Sequence, residues 1–259
     1  MQWEKLTTHE IDAFDRSTPV ILNIAAIEQH GSHLPLETDA VIGSYLLQAL
    51  DQTDPTAQLI LPQVKVCCSA HHMDFPGTLS VPHMILKDYV CCILDSVRFC
   101  GFRNLLLFNS HGGNEAIGQV IVEHYGAKDP DCQIALVTWW NLARSLLSDI
   151  TETGPFGTGH ACEFETSIMM SADAIPEDTM IPAGTFHSPS FEWADSSMLT
   201  ARSGTLYRSM YDVSAGTGIS GEPELASRQK GERITEAVVS RLSRVVADLR
   251  MGSTVTPGE

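Results

Sequence analysis

The chain is short of positive charge: 16 Lys and Arg stand against 32 Asp and Glu, for a formal charge of −16. Such a field repels phosphate backbones and anionic membrane surfaces, so neither nucleic acid nor a membrane is expected as a partner. The excess carboxylates fit a soluble surface or bound cations. No apolar run approaches the ~20 residues that span a bilayer, which points to a soluble protein. None of the seven cysteines forms a C-x-x-C spacing. The neighbours Cys67-Cys68 and Cys91-Cys92 do not suit a spaced disulfide frame, so a zinc ribbon and a secreted disulfide scaffold are both disfavoured. The cysteines read mostly as small buried apolar residues. The start, Met1-Gln2-Trp3-Glu4, has no basic segment followed by an apolar stretch, and the expected setting is cytoplasmic. Repeats, low-complexity tracts and Pro- or Gly-rich linkers are missing too, so a single domain over residues 1–259 is expected.

What is present is an alternation of strand-like and helix-like segments. Val20 to Ala26, Leu59 to Val66, Asn104 to Asn109 and Gln133 to Thr138 are apolar runs of strand length. Val41 to Leu50, Leu86 to Cys100 and Glu115 to Gly126 carry helical periodicity between and after them. This order predicts an α/β fold, a mostly parallel β-sheet sandwiched by helices, with ligands gathered at the carboxyl ends of the strands. Pro223 to Arg250 is predicted as an amphipathic helix with Ile234, Val238, Leu242 and Val246 on its apolar face. Pro182 to Gly221, rich in Ser, Gly, Thr and aromatics, predicts loops and short strands.

The polar clusters follow the strand-like runs, as that geometry demands. Glu28-Gln29-His30-Gly31-Ser32-His33-Leu34-Pro35-Leu36-Glu37-Thr38-Asp39 concentrates metal-ligand types. Glu28 and His30, two apart, point the same way in an extended segment, and Asp39 returns after the turn at Pro35. A carboxylate can bridge two divalent ions about 3.5–4 Å apart, and Asp39 is the candidate bridge. The competing reading makes Asp39 the cap of a helix that starts near Ala40.

Asn109-Ser110-His111-Gly112-Gly113-Asn114 joins an imidazole to tandem glycines that permit close backbone approach. With no Lys or Arg nearby and Glu115 in the following turn, it is a poor phosphate cradle. In His160-Ala161-Cys162-Glu163-Phe164-Glu165-Thr166-Ser167, Glu163 and Glu165 cannot share a face equally well with His160, so they have different roles. Which of them is a ligand stays open on these residues alone, and a solvated acidic patch at a helix start is the competing reading. His71-His72-Met73-Asp74-Phe75-Pro76-Gly77-Thr78 suits a substrate-contacting turn or a structural one.

Together these stretches resemble the creatininase family, which includes creatinine amidohydrolase, a formamide hydrolase and a mycofactocin-maturation peptidase. The carriers are Glu28 to Asp39, Phe75-Pro76-Gly77-Thr78, Ser110 to Asn114, His160-Ala161 with Glu165-Thr166-Ser167, and Gly221-Glu222-Pro223, in the family's order over most of the chain. The resemblance implies a creatininase-like fold, a hexameric homo-oligomer, and two divalent metal ions. Asp39 would bridge them, with Glu28 and His111 on one ion and His30 and Glu165 on the other; only the resemblance selects Glu165 over Glu163. Mixed imidazole and carboxylate ligands suit Zn, Mn or Fe alike. The implied reaction is hydrolysis of a C–N bond in a small-molecule amide, cyclic amide or formamide by a water activated between the ions. His160 is the implied general acid and base. His72, Thr78, Gly112, Gly113 and Phe156 are candidate substrate contacts. Creatinine amidohydrolases share a Tyr-Glu pair after the histidine at the His111 position and a Trp-Asp pair before that at His160. Here these read Gly112-Gly113 and Phe156-Gly157, so the groups suited to a small cationic ring are missing and creatinine is not the expected substrate. A metal-dependent peptidase and a non-catalytic binding protein are the rival readings. Nucleotide binding is weaker, since no G-x-G-x-x-G follows a strand.

Overall fold

A computed structural model describes residues 1–154, 156–176, 178–184, 191–194, 197–200 and 203–252. In chain order the elements are α1 (Thr8–Ala13), β1 (Val20–Ile24), α2 (Thr38–Thr53), β2 (Leu59–Ile60), α3 (His83–Phe99), β3 (Asn104–Asn109) and α4 (Glu115–Lys128). There follow β4 (Gln133–Thr138), α5 (Trp139–Leu147), β5 (Thr158–His160), α6 (Glu163–Ser171), α7 (Met210–Val213), β6 (Ser220–Gly221) and α8 (Arg228–Met251). The main sheet runs β2-β1-β3-β4, and every neighbouring pair in it is parallel. All four apolar runs therefore contribute strands, in the arrangement that their alternation with helices predicts.

Successive strand side chains point to opposite faces, and both faces are covered. Ile21, Leu106 and Phe108 pack into one core with residues of α2, α5, α6 and α8. Val20, Leu22, Leu105 and Leu107 pack into the other with residues of α3 and α4. Ile234, Val238, Leu242 and Val246 of α8 are all buried in the first core, and burying each is worth roughly 1.5–3 kcal/mol.

Three expectations change at their edges. The second run pairs only through Leu59 and Ile60, with a single later bridge at Val64: Leu61 N–H still donates to the Ile21 carbonyl, and past Pro62 the register slips so that Val64 N–H is the next donor to β1. The carboxyl-terminal helix begins at Arg228 and not at Pro223, since Ser227 caps it by accepting from the Lys230 N–H at 3.2 Å. In the 182–221 stretch β6 and α7 form, while residues 185–190, 195, 196, 201 and 202 lie outside the described residues. β6 pairs antiparallel with β5 in a separate two-stranded sheet, which brings His160 toward the carboxyl ends of β1 and β3. Among the described residues no helix is long and apolar enough to cross a membrane.

Candidate metal centre

Four short segments beyond the carboxyl ends of the strands meet in one buried cluster. Glu28 and His30 follow β1, where Gly31 adopts φ +65° and turns the chain directly after the imidazole. His30 Nδ1 lies 3.1 Å from the Glu28 carbonyl, which assigns the ring proton to Nδ1 and leaves Nε2 as the nitrogen that could ligate. Asp39 lies in the first turn of α2. Glu37 occupies the position before that helix and no side chain caps it, so the capping reading of Asp39 gives way.

His111 follows β3. Its backbone N–H donates to Asn109 Oδ1 at 3.1 Å, and its Nε2 donates to the Cys68 carbonyl at 3.0 Å, leaving Nδ1 for a ligand. Asn114 ties neighbouring loops together through the Cys68 N–H and the Ala25 carbonyl. Glu165 sits in the first turn of α6, where one oxygen accepts from the Ala161 N–H and the other lies 4.0 Å from His30 Nε2. Ala161 holds φ +50°, a strained value for a residue with a Cβ, at the bend between His160 and α6.

Asp39 divides the cluster. One of its oxygens is 3.3 Å from His30 Nε2, and the other is 3.1 Å from His111 Nδ1. Glu28 Oε1 is 3.2 Å from the same His111 nitrogen. Glu28 Oε2, His30 Nε2 and Asp39 Oδ2 are buried without a hydrogen-bond partner among the described residues. Buried polar atoms left unpaired are costly, and cations at the centre would satisfy all three. The electrostatics agree. Burial opposes charge on His30, yet Asp39, Glu165 and Glu28 outweigh it and lift the ring to about 9. Burial is likewise overcome at His111 by Glu28 and Asp39, which raise it well above the usual imidazole range. Glu165 is pushed up to about 7 by burial and by the charges of Asp39 and Glu28. Three buried carboxylates gather positive charge, here as protons on the imidazoles that a metal would displace.

His160 is buried beside these groups, its ring centroid 4.2 Å from that of His30. Its Nε2 donates to the Gln29 carbonyl at 2.7 Å, so the neutral ring presents Nδ1, 3.8 Å from Glu28 Oε1. Burial, and then the charge on His30, hold His160 well below its ordinary value. A cleft of about 430 Å³ opens over the cluster, walled in part by His71, Gly112, Gly113, Trp140, His160 and Met198. A groove of about 470 Å³ between α2 and α8 brings together none of these groups. The chemistry therefore belongs to the cleft.

The family model described as creatinine amidohydrolase matches residues 4–246. The chain belongs to the creatininase family.

This creatininase-family chain is 26% identical over 248 residues to the mycofactocin precursor peptide peptidase of Mycobacterium tuberculosis, covering 89% of this chain and 85% of the relative. It is 25% identical over 247 residues to creatinine amidohydrolase of Pseudomonas putida, covering 88% of each. A crystal structure of creatininase matches with a TM-score of 0.77 at 21% identity, over 95% of this chain and 96% of that one, which shows the shared fold. The family's named model is creatinine amidohydrolase, and the chain is a metal-dependent amidohydrolase acting on C–N bonds.

The structure brings Glu28, His30, Asp39, His111, His160 and Glu165 of this creatininase-family chain together and sorts the remaining candidates. Glu163 faces elsewhere. It is buried against Lys230, Thr151, Thr153 and the backbone of Glu152, which hold its carboxyl below the usual range against the opposing effect of burial. His72 Nδ1 lies 2.9 Å from the Gln29 amide nitrogen, and its Nε2 lies 3.4 Å from Glu28 Oε1, so it braces Glu28. Thr78 Oγ1 accepts from the Gln29 N–H at 3.2 Å and supports the loop. Among the described residues nothing lies where a side chain at Gly112 would stand, whereas Gly113 is closely packed. Phe156 is 56% exposed and is not among the residues walling the cleft. Its expected substrate contact has no support in this arrangement. Two participants were read in the sequence only as parts of a loop and a turn, not as site residues. Gln29, whose side chain reaches both His72 and His160, has no local signal; His71 did have one, the doubled histidine after an apolar run.

Proposed function

We propose that this chain hydrolyses the C–N bond of a small non-peptide amide, such as a cyclic amide or a formamide, using two divalent ions. The observation that carries the reading is the Asp39 carboxylate, with one oxygen toward His30 and the other toward His111. Glu28 and His111 would hold one ion, His30 and Glu165 the other, and Asp39 both. Solved creatininases include a Zn–Zn form and a Mn form, and this donor set suits Zn, Mn or Fe. Divalent ions lower the pKa of water and polarise a carbonyl, the two needs of amide hydrolysis. His160 Nδ1 takes up a proton and delivers it to the leaving nitrogen, while the Gln29 carbonyl holds the ring in that tautomer. Removing that imidazole in His160→Ala should leave metal content intact and sharply lower turnover; full turnover in this variant would refute the role.

Gly112 leaves volume where an aromatic side chain would pack on a small ring, which supports a substrate other than creatinine. The test is a screen of cyclic amides, formamides and short peptides against the metal-loaded chain, with Asp39→Ala as control. Turnover of a small amide that Asp39→Ala abolishes is the expected result. Release of fragments from peptides alone would favour the second reading, a metal-dependent peptidase, supported by the similarity to the mycofactocin precursor peptidase. Bound metal with no turnover would favour a binding protein. Assembly as a hexameric homo-oligomer belongs to the same proposal, supported by the exposed apolar residues Met84, Ile85 and Tyr89 of α3, and light scattering tests it. A reducing, cytoplasmic setting is supported by seven cysteines without a disulfide.

A further inference from the structure

We propose that His71 is a further ligand of the ion on the Glu28 and His111 side, and that residue 113 is glycine to admit it. The inference rests on the two-ion reading above and adds a residue to it. A nitrogen of His71, a nitrogen of His111 and an oxygen of Glu28 lie within 4.8 Å of one another. The His71 and His111 rings are near parallel, with centroids 5.6 Å apart and planes at 18°. His71 occupies the middle of the short 3-10 turn Ala70–His72, half-buried on the wall of the cleft.

Its neighbour has a different task. Gln29 lies 2.9 Å from one nitrogen of His72 and Glu28 3.4 Å from the other, so that ring steadies the Glu28 carboxylate. Of the adjacent histidines, one braces a ligand and the other is one. Gly113 supplies independent support. A Cβ there would stand 2.3 Å from the Cys68 carbonyl, 2.4 Å from His111 Nε2 and 2.8 Å from His71 Cε1. Any side chain at 113 would press on both imidazoles and on the carbonyl that fixes the His111 tautomer. The two ion positions then differ in kind. The first is served by His71, His111, Glu28 and Asp39, and the second by His30, Glu165 and Asp39. The position richer in imidazole, on the cleft side, suits the ion of the pair that favours nitrogen donors.

Titration of the metal-free full chain with Co(II), followed by visible absorption and calorimetry, tests the inference. Wild-type protein should bind in two steps. His71→Ala and His71→Gln should each bind about tenfold or more weakly in one step, with an altered ligand-field spectrum, and leave the other step unchanged. Far-ultraviolet circular dichroism should match wild type for both, because the ring is only half-buried, and the Gln variant preserves most of its volume. If both variants bind Co(II) in both steps with wild-type affinity and spectra, His71 is not a ligand and the two-ion reading stands. Should wild-type protein bind no Co(II), the metal centre itself fails, and His71 with it.

Discussion

Glu163 and Glu165 lie two residues apart in the first turn of α6, both buried, and their surroundings are opposite in character. Around Glu163 every need of a carboxylate is met by the protein: an ammonium from Lys230, hydroxyls from Thr151 and Thr153, and backbone N–H groups of the 151–154 turn. Around Glu165 the neighbours are other acids and an imidazole, and among the described residues only the Ala161 N–H donates to it. A saturated carboxylate is structural. An under-satisfied one among other acids is where a cation belongs. The same helix turn thus joins the frame of the molecule to its candidate centre.

The contrast can be broken by substitution. Glu165→Gln should lose the His30-side ion and lower turnover by about 10³-fold with little change in melting temperature, since its stabilising partner is the metal and not the fold. Metal analysis and kinetics check both halves of that statement. Glu163→Gln should do the reverse, keeping both ions while lowering stability by about 3 kcal/mol, because Lys230 is left buried with only the more exposed Glu152 as a charge partner. Urea unfolding reads it. Equal metal loss in the two variants would erase the distinction.

The smallest effect is in pH dependence. The folded value of His30, about 9, is above its ordinary value of 6.5, so protonated His30 stabilises the metal-free chain below about pH 6.5, and that contribution is lost as pH rises through 9. Metal must displace this proton, so affinity should rise about tenfold per pH unit for each proton released. The gap between metal-loaded and metal-free melting temperatures should therefore widen from pH 6.5 to 9. Glu163, whose folded value is lowered, contributes stability above its ordinary carboxylate range that is lost only as pH falls. Glu163→Gln should alter the acid limb alone.

Much of this was legible in the chain because it is local. Three of the four apolar runs became strands at nearly their predicted bounds; β1 and β3 are buried throughout, which leaves a continuous apolar signature, and β4 at the sheet's edge is partly buried. The fourth shrank because its register against β1 slips by one residue between Leu61 and Val64, a backbone effect that hydropathy does not register. Glu28, His30, Asp39 and His111 were visible because each closely follows a strand or opens a helix beside a glycine or proline turn. The hydrogen bond between His72 and Gln29 was not legible, because the two residues are 43 apart in the chain.

By itself, then, the sequence determined which segments are strands and helices, that ligand-forming side chains cluster at strand ends, and that the positions at 112 and 113 carry no side chain. Only the tertiary structure decided which of two neighbouring glutamates faces the centre, which of two neighbouring histidines lies on the wall of the cleft, and how one aspartate divides its oxygens between two imidazoles. The reason is physical. Propensity and burial act on each segment through its own residues, whereas a ligand set depends on directions of side chains drawn from β1, β3, the 70–72 turn and α6, and those directions exist only once the sheet and its helices have packed.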